Sequence, residues 1–297
     1  MNTIKQICII SGKGGTGKTT VAASLAALMP GDKVLADCDV DASNLPLVLG
    51  GRQIEIQPFR AGLLAQIVLE KCTSCGECLS ACRFGGVIIQ DGVYGIDAIK
   101  CEGCKVCAHV CPEDAITMKE MDAGKCYVSE TSYGPLVHAR LEPGRENSGK
   151  LVTHVRDRAL ELAKERGAGY ILIDGAPGTG CPVIATLSGV NLALLVVEPT
   201  VAGVQALERI IRVAEHFGVP CVTCLNKWDL NPEVARDIQK MAQDRGAPLV
   251  AQIPFDRAVV DAMLQGRPVV EVEASVLRKA FEDLWHSLHE RLQSDGR

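Results

Sequence analysis

Between a β-branched run, Ile4–Ile10, and a helix-forming stretch, Val21–Leu28, stands Gly12-Lys13-Gly14-Gly15-Thr16-Gly17-Lys18-Thr19. The segment fits G-x-x-x-x-G-K-S/T, a loop that works only when a strand delivers it and a helix N-terminus receives it. The glycines let backbone N–H groups converge on phosphate oxygens, and the helix end adds partial positive charge. Lys18 is expected to reach the β and γ phosphates and the Thr19 hydroxyl to ligate Mg²⁺, with Gly12 through Thr20 forming the binding loop.

This opening commits the chain to strands alternating with helices. Further strand candidates are Lys33–Ala36, Ile54–Pro58, Tyr170–Ile173, Leu192–Val197, Cys221–Leu225 and Leu249–Ile253. Helical patterns at Leu151–Arg166, Val201–Phe217, Pro232–Arg245 and Arg257–Leu264 separate most of them. The order predicts a doubly wound, mostly parallel α/β sheet with right-handed crossovers. Only 4% of residues are aromatic, so Val, Ile, Leu and Ala fill a core suited to strands covered on both faces. A terminal helix, Ser275–Gln293, carries Leu277, Phe281, Leu284, Leu288 and Leu292 in one stripe. Its polar face mixes acidic and basic residues, which favours packing on the domain over lying on a membrane. No apolar run approaches the roughly 18 residues of a membrane span. A net charge of −5 argues against nucleic acid as a partner.

The segment 62–121 breaks the rhythm. Eight of the 14 cysteines fall between Cys72 and Cys111, beside short strand-like pieces, Val87–Gln90 and Ile116–Lys119, and no long amphipathic helix. Its core cannot be mainly apolar. The segment reads as a small α+β domain inserted between 1–61 and 122–297, with the main domain resuming after a Gly-rich connection at 132–149. Cys-x2-Cys-x2-Cys-x3-Cys occurs twice, as Cys72-Cys75-Cys78-Cys82 and Cys101-Cys104-Cys107-Cys111. Both runs resemble those of bacterial two-cluster ferredoxins, in which the fourth Cys of each run ligates the other cluster. The resemblance assigns Cys72, Cys75, Cys78 and Cys111 to one [4Fe-4S] cluster, and Cys82, Cys101, Cys104 and Cys107 to the second. Zinc is the alternative for paired CxxC motifs. Two complete runs and the Cys111-Pro112 ending favour iron–sulfur, although Arg83 stands where a proline would follow Cys82. Outside the runs, Cys8, Cys38, Cys221 and Cys224 read as small buried hydrophobes. Cys221 and Cys224 are a CxxC by spelling, but extended backbone turns residues three apart to opposite faces. With no basic and apolar leader at Met1–Gly14, the thiols are expected to be reduced and the chain cytoplasmic.

Lys13 adds a second lysine inside the loop, and Lys13–Thr19 resembles the variant loop K-G-G-x-G-K-S/T of MinD/ParA-type P-loop ATPases. The resemblance implies that Lys13 reaches across a nucleotide-sandwich dimer to the partner's phosphates. It likens Ala36–Asp41 to the first switch, where Asp39 positions the attacking water and second-shell Mg²⁺, and Gly175–Gly180 to the second. Asp174 ends a hydrophobic strand at the place where ligands bind such sheets, which makes it the expected Mg²⁺ partner. Asn226 and Asp229, in Asn226-Lys227-Trp228-Asp229, would contact the base, and Pro254 and Asp256 belong to the family's closing strand and turn. NKxD also reads guanine in GTPases, but the variant loop favours ATP. Cys181 stands where the nitrogenase iron protein, a relative in this class, carries a cluster ligand; a structural role is the preferred reading. His138 and Arg140 either line a passage between the two domains or sit on a partly exposed strand.

Taken whole, the chain resembles MinD-superfamily ATPases with an inserted two-cluster ferredoxin domain. That implies ATP, Mg²⁺ and two [4Fe-4S] clusters, in a homodimer or a heterodimer with a paralogous MinD-like ATPase. It also implies a small NifX-like metal-cluster protein or other redox client, with no nucleic acid and no stable membrane insertion. The implied activity is ATP hydrolysis coupling dimer closure to electron transfer for metal-cofactor or metal-cluster assembly in an anaerobe. The alternatives are an iron–sulfur carrier or scaffold that delivers clusters to apo-proteins, and a positioning protein of the MinD or ParA type.

Overall fold

The computed structural model describes residues 4–143, 147–272 and 276–294. The chain divides into two compact units, one of Met1–Ile56, Cys126–Arg140 and Ser148–Arg297, the other of Gln57–Lys125 and Leu141–Asn147. The segment 62–121 lies inside the second.

In the first unit, β1 (Lys5–Ser11) leads through the glycine loop into α1 (Lys18–Leu28), followed by β2 (Lys33–Asp37) and the short α2 (Leu45–Leu49). β3 (Arg52–Ile67) carries the chain into the second unit, which holds α3 (Glu77–Ala81), β4 (Val87–Gln90), β5 (Val93–Ile96) and α4 (Val106–His109). β6 (Ile116–Thr131) returns it to the first unit, where β7 (Gly134–Leu141), α5 (Ser148–Arg166), β8 (Tyr170–Pro177), α6 (Cys181–Leu187), β9 (Leu192–Val197) and α7 (Val201–His216) follow. β10 (Cys221–Asn226), α8 (Pro232–Asp244), β11 (Leu249–Ile253), α9 (Ala258–Leu264) and α10 (Val276–Ser294) complete it.

The sheet has the order β11-β10-β9-β1-β8-β2-β7-β6-β3. Neighbours from β11 to β7 pair in parallel, giving the mostly parallel α/β sheet expected from the strand–helix alternation. β3 and β6, at 16 residues each, are far longer than Ile54–Pro58 and Ile116–Lys119. Polar residues and glycines interrupt both, and β3 is mostly exposed, so neither shows a sustained apolar run. The 132–149 connection contains β7, which follows β6 through a tight hairpin where the Thr131 hydroxyl donates to the Gly134 carbonyl at 2.6 Å.

Ile7, Ile9, Leu35, Leu136, Leu172 and Leu194 lie in one core with α1 and α10. All five stripe residues of the terminal helix, Leu277, Phe281, Leu284, Leu288 and Leu292, are buried there, so α10 packs on the domain. Ser275, its expected first residue, lies outside the described residues. The second unit has a much thinner core, Ala65, Val87 and Ile116 with Cys78 and Cys107, flanked by Cys82, Cys101 and Cys111. No helix among the described residues is long and apolar enough to cross a membrane.

Candidate functional site

The loop between β1 and α1 is held by backbone freedom and one clamp. Gly15 and Gly17 take positive φ, 78° and 96°, which L side chains rarely adopt. A Cβ at Gly17 would lie 2.3 Å from Asn226 Nδ2, the group that donates to the Thr16 carbonyl at 2.8 Å. Gly17 caps α1 without a side-chain acceptor, so the first N–H groups of the helix stay available to an anion. A cavity of about 630 Å³ opens over the loop and runs to an apolar end at Ile253, Phe255, Val259 and Met263. Phosphates at the loop and a base at the apolar end fit that gradient.

Of the residues singled out in the sequence, Gly14, Gly15, Gly17, Lys18, Thr19, Thr20, Asp39, Asn226, Pro254 and Asp256 line this one cavity. Gly12, Lys13, Thr16, Asp174 and Asp229 are not on its lining. Gly12 sits against α7, where a Cβ would meet the Ala206 carbonyl at 2.4 Å. Asp229 accepts from the Phe255 amide at 2.7 Å and so shapes the turn at the base end.

Asp37 ends β2 and pairs in register with Asp174, three residues before the end of β8. Asp37 is fully buried and accepts from the Ser43 hydroxyl (2.8 Å) and the amides of Leu45 and Asp39 (both 3.1 Å). Burial, then the charge of Asp174, pushes its carboxyl well above the ordinary range. Asp174 is 1% exposed, and among the described residues neither carboxylate oxygen has a hydrogen-bond partner. Burial pushes it up to about 6; Thr19 and Lys18 pull the other way, and Asp39 adds to the rise. A desolvated, orphaned carboxylate beside the Thr19 hydroxyl fits a divalent cation, whose charge would replace the missing partners.

In the second unit, one cavity is lined by Cys72, Cys75, Cys78 and Cys111, another by Cys82, Cys101, Cys104 and Cys107. Each therefore takes three thiols from one run and the fourth from the other. The two halves repeat in backbone detail. Ser74 and Gly103 have φ 57° and 64°, Gly76 and Lys105 have 85° and 66°, and Gly85 and Asp114 have 65° and 45°. The Gly86 amide donates to Cys82 Sγ at 3.2 Å, and the Ala115 amide to Cys111 Sγ at 3.3 Å. Burial pushes the thiols of Cys78 and Cys107 up. At Cys82 burial also pushes up, but backbone N–H groups from Val87 and Phe84 to Gly86 outweigh it and lower the thiol. Among the described residues no three His, Cys, Asp or Glu side chains converge closely enough to hold a single metal ion. Four thiols lining each cavity are a donor set that a four-iron cluster or a zinc ion would fit.

The family described as "CobQ/CobB/MinD/ParA nucleotide binding domain" matches residues 7–269. The chain belongs to this family. The uncharacterized protein MJ0578 of Methanocaldococcus jannaschii is 36% identical over 233 residues, 78% of this chain and 81% of that protein. The iron-sulfur cluster carrier protein of Pyrococcus horikoshii is 24% identical over 97% of this chain and 86% of its own length. Among solved structures, the cell division ATPase MinD of Pyrococcus furiosus shares 22% identity and a TM-score of 0.58 over 98% of this chain and 99% of that one. MinD of Pyrococcus horikoshii complexed with Mg-ADP shares 19% identity and a TM-score of 0.59 over 96% of each chain. These two likenesses show a shared fold.

In this MinD/ParA-type ATPase, Glu198 is a site residue that the sequence reading missed. It follows β9 at the ligand end of the sheet, is mostly buried, and bridges Lys13 Nζ (3.5 Å) and Lys227 Nζ (3.4 Å). Lys227 Nζ also lies 3.4 Å from the Gly15 carbonyl. The loop lysine is thus tethered within its own chain. Position at a strand's carboxyl end was the signal, the same one that singled out Asp174. Cys181 opens α6 and is exposed, and a Cβ on Gly149 would lie 3.1 Å from its own Cβ. His138 is half-buried, stacked on Tyr127 at 5.1 Å and 3.2 Å from the Ser129 hydroxyl, an arrangement of a packed strand.

Proposed function

We propose that this ATPase couples nucleotide-driven dimer closure to electron transfer through two [4Fe-4S] clusters held by the segment 62–121, serving a partner protein in metal-cofactor or metal-cluster assembly. The observation that carries this reading is the sorting of eight thiols into two cavities, three and one from the two runs. Cys72, Cys75, Cys78 and Cys111 would hold one cluster, and Cys82, Cys101, Cys104 and Cys107 the other, supplying one-electron chemistry when bound.

At the nucleotide, the loop amides and Lys18 bind and orient the phosphates, and Asn226 fixes the loop through Thr16. Thr19 and Asp174 would hold Mg²⁺, which neutralises charge on the phosphates when bound. Asp39 orients the attacking water from the rim of the cavity. Lys13 leaves Glu198 on closure and offers its ammonium to the partner's phosphates, where charge develops during transfer. Coupling requires that the open and closed states differ in affinity for nucleotide and client, since a ligand bound equally by both shifts nothing. A heterodimer with a paralogous MinD-like ATPase has support from two M. jannaschii relatives, at 36% and 27% identity, which belong to one organism. A homodimer is the alternative. The client is a small NifX-like metal-cluster protein or another redox protein.

A second reading, a carrier that delivers whole clusters to apo-proteins, is favoured by relatives named iron-sulfur cluster carrier proteins. Four thiols around each cavity speak against it, because donation needs labile or shared ligation. One experiment separates the two. The anaerobically purified protein is reduced, its EPR followed, and ATP added with a small acceptor protein. ATP-dependent oxidation with about eight iron retained per chain supports electron transfer; loss of iron to an apo-acceptor supports the carrier. Protein that binds no iron under reconstitution refutes both.

A further inference from the structure

The two halves of the second unit match in backbone and differ in their exposed side chains. Aligning the runs on their cysteines sets Phe84 against Glu113, Val106 against Glu77, Ile99 against Glu70, Lys105 against Gly76 and Arg83 against Pro112. These five differences share one sense, whereas Glu102 against Thr73 runs the other way. Around the Cys72/Cys75/Cys78/Cys111 cavity the matched positions carry three carboxylates and, at Lys71, one amine. Around the other they carry apolar groups and cations. Phe84 and Val106 line that second cavity and are 52% and 42% exposed, and Ile99 is 80% exposed. Arg83 and Lys105 are exposed and, among the described residues, have no ion-pair partner; Lys100 pairs with Asp97 at 3.7 Å. Glu102 is the one carboxylate lining that cavity.

Backbone equivalence removes folding as the reason for the difference, because the acidic half makes the same turns without these residues. Exposed aromatic and aliphatic side chains cost solubility unless something covers them, and unpaired cations beside them select what does. We propose that the face of the second unit at Cys82, Cys101, Cys104 and Cys107, built by Arg83, Phe84, Lys105 and Val106, is the docking surface for an acidic electron-transfer protein. The opposite, acidic half repels such a partner and fixes which end it approaches. This rests on the two-cluster reading above, since an electron port needs a cluster behind it.

The test uses the full chain with iron counted before each measurement, and a flavodoxin, an acidic one-electron carrier, as probe. Calorimetric titration is run at low and high ionic strength. Binding at low salt that weakens with salt, and that weakens about tenfold further in Arg83→Glu/Lys105→Glu, supports the assignment. The mirror variant Glu77→Lys/Glu113→Lys should bind as tightly as the parent or more so. Should the charge-reversed chain lose iron, the neutral variant Arg83→Gln/Lys105→Gln and Phe84→Ser replace it, with a severalfold loss expected from each. Absence of binding at low salt, or unchanged affinity in the variants with iron retained, overturns the docking surface and leaves the cluster reading standing. Parent protein without iron overturns both.

Discussion

Asp37 and Asp174 are partners across neighbouring parallel strands, both buried, yet among the described residues Asp37 accepts three hydrogen bonds and Asp174 none. The same register gives one carboxylate a structural task, tying the end of β2 to the segment that starts α2, and leaves the other open. Removing Asp37's partners would leave a buried acid unsatisfied, the state in which Asp174 stands among the described residues.

The first prediction concerns pH. Asp174 is raised from 3.8 to about 6 in the fold, so between those values the native state holds a proton that the unfolded chain has lost. Its contribution therefore favours the fold at low pH and is lost as pH rises through about 6, worth about 2–3 kcal/mol at most and shared with Asp37. Thermal unfolding without Mg²⁺ should show a falling midpoint over this window. Asp174→Asn should flatten that fall and abolish Mg²⁺-dependent phosphate release. A variant with the parent's slope contradicts the assignment.

Lys18 is only 6% exposed and faces the loop's cavity. Lys18→Ala removes the charge held against the phosphates and should lower ATP hydrolysis by about 100-fold or more, with the fold intact by circular dichroism. Phosphate release at the parent rate would sink the loop's role.

Asn226 was expected from its motif to contact the base, whereas its amide is committed to the Thr16 carbonyl. Asn226→Ala should therefore weaken ATP and GTP by the same factor, with a stability loss of about 1–3 kcal/mol for the orphaned loop carbonyl. Titration of both nucleotides checks it; a loss confined to one base would return Asn226 to base recognition.

How much could be read beforehand depended on whether a feature was local. The loop, its flanking strand and helix, and the parallel sheet followed from short apolar runs and a fixed spacing, and the stripe on α10 from its period. β3 and β6 escaped because polar residues and glycines break their alternation, so their length is set by pairing at the sheet's edge. Glu198 escaped because its meaning comes from two lysines, one of them 185 residues away in sequence. The sorting of thiols was foreseen only through a resemblance; spacing shows that three cysteines can wrap one centre, but the origin of the fourth is a tertiary fact.

The crossing of the fourth thiols gives the most discriminating prediction. Cys111 belongs by sequence to the second run but lines the cavity of Cys72, Cys75 and Cys78, while Cys82 lines that of Cys101, Cys104 and Cys107. Cys111→Ser should therefore damage the centre of the first run, and Cys82→Ser that of the second. Each variant should reduce iron from about eight to about four per chain, or convert one centre to a three-iron form. To locate the damage, each is combined with Cys75→Ser. In a crossed arrangement Cys75→Ser/Cys111→Ser strikes one centre twice and spares the other, whereas Cys75→Ser/Cys82→Ser strikes both. EPR and iron analysis of the two double variants should thus differ, the first keeping one intact cluster and the second none. The reverse result would mean that each run holds its own cluster, and would contradict the way the two cavities are lined.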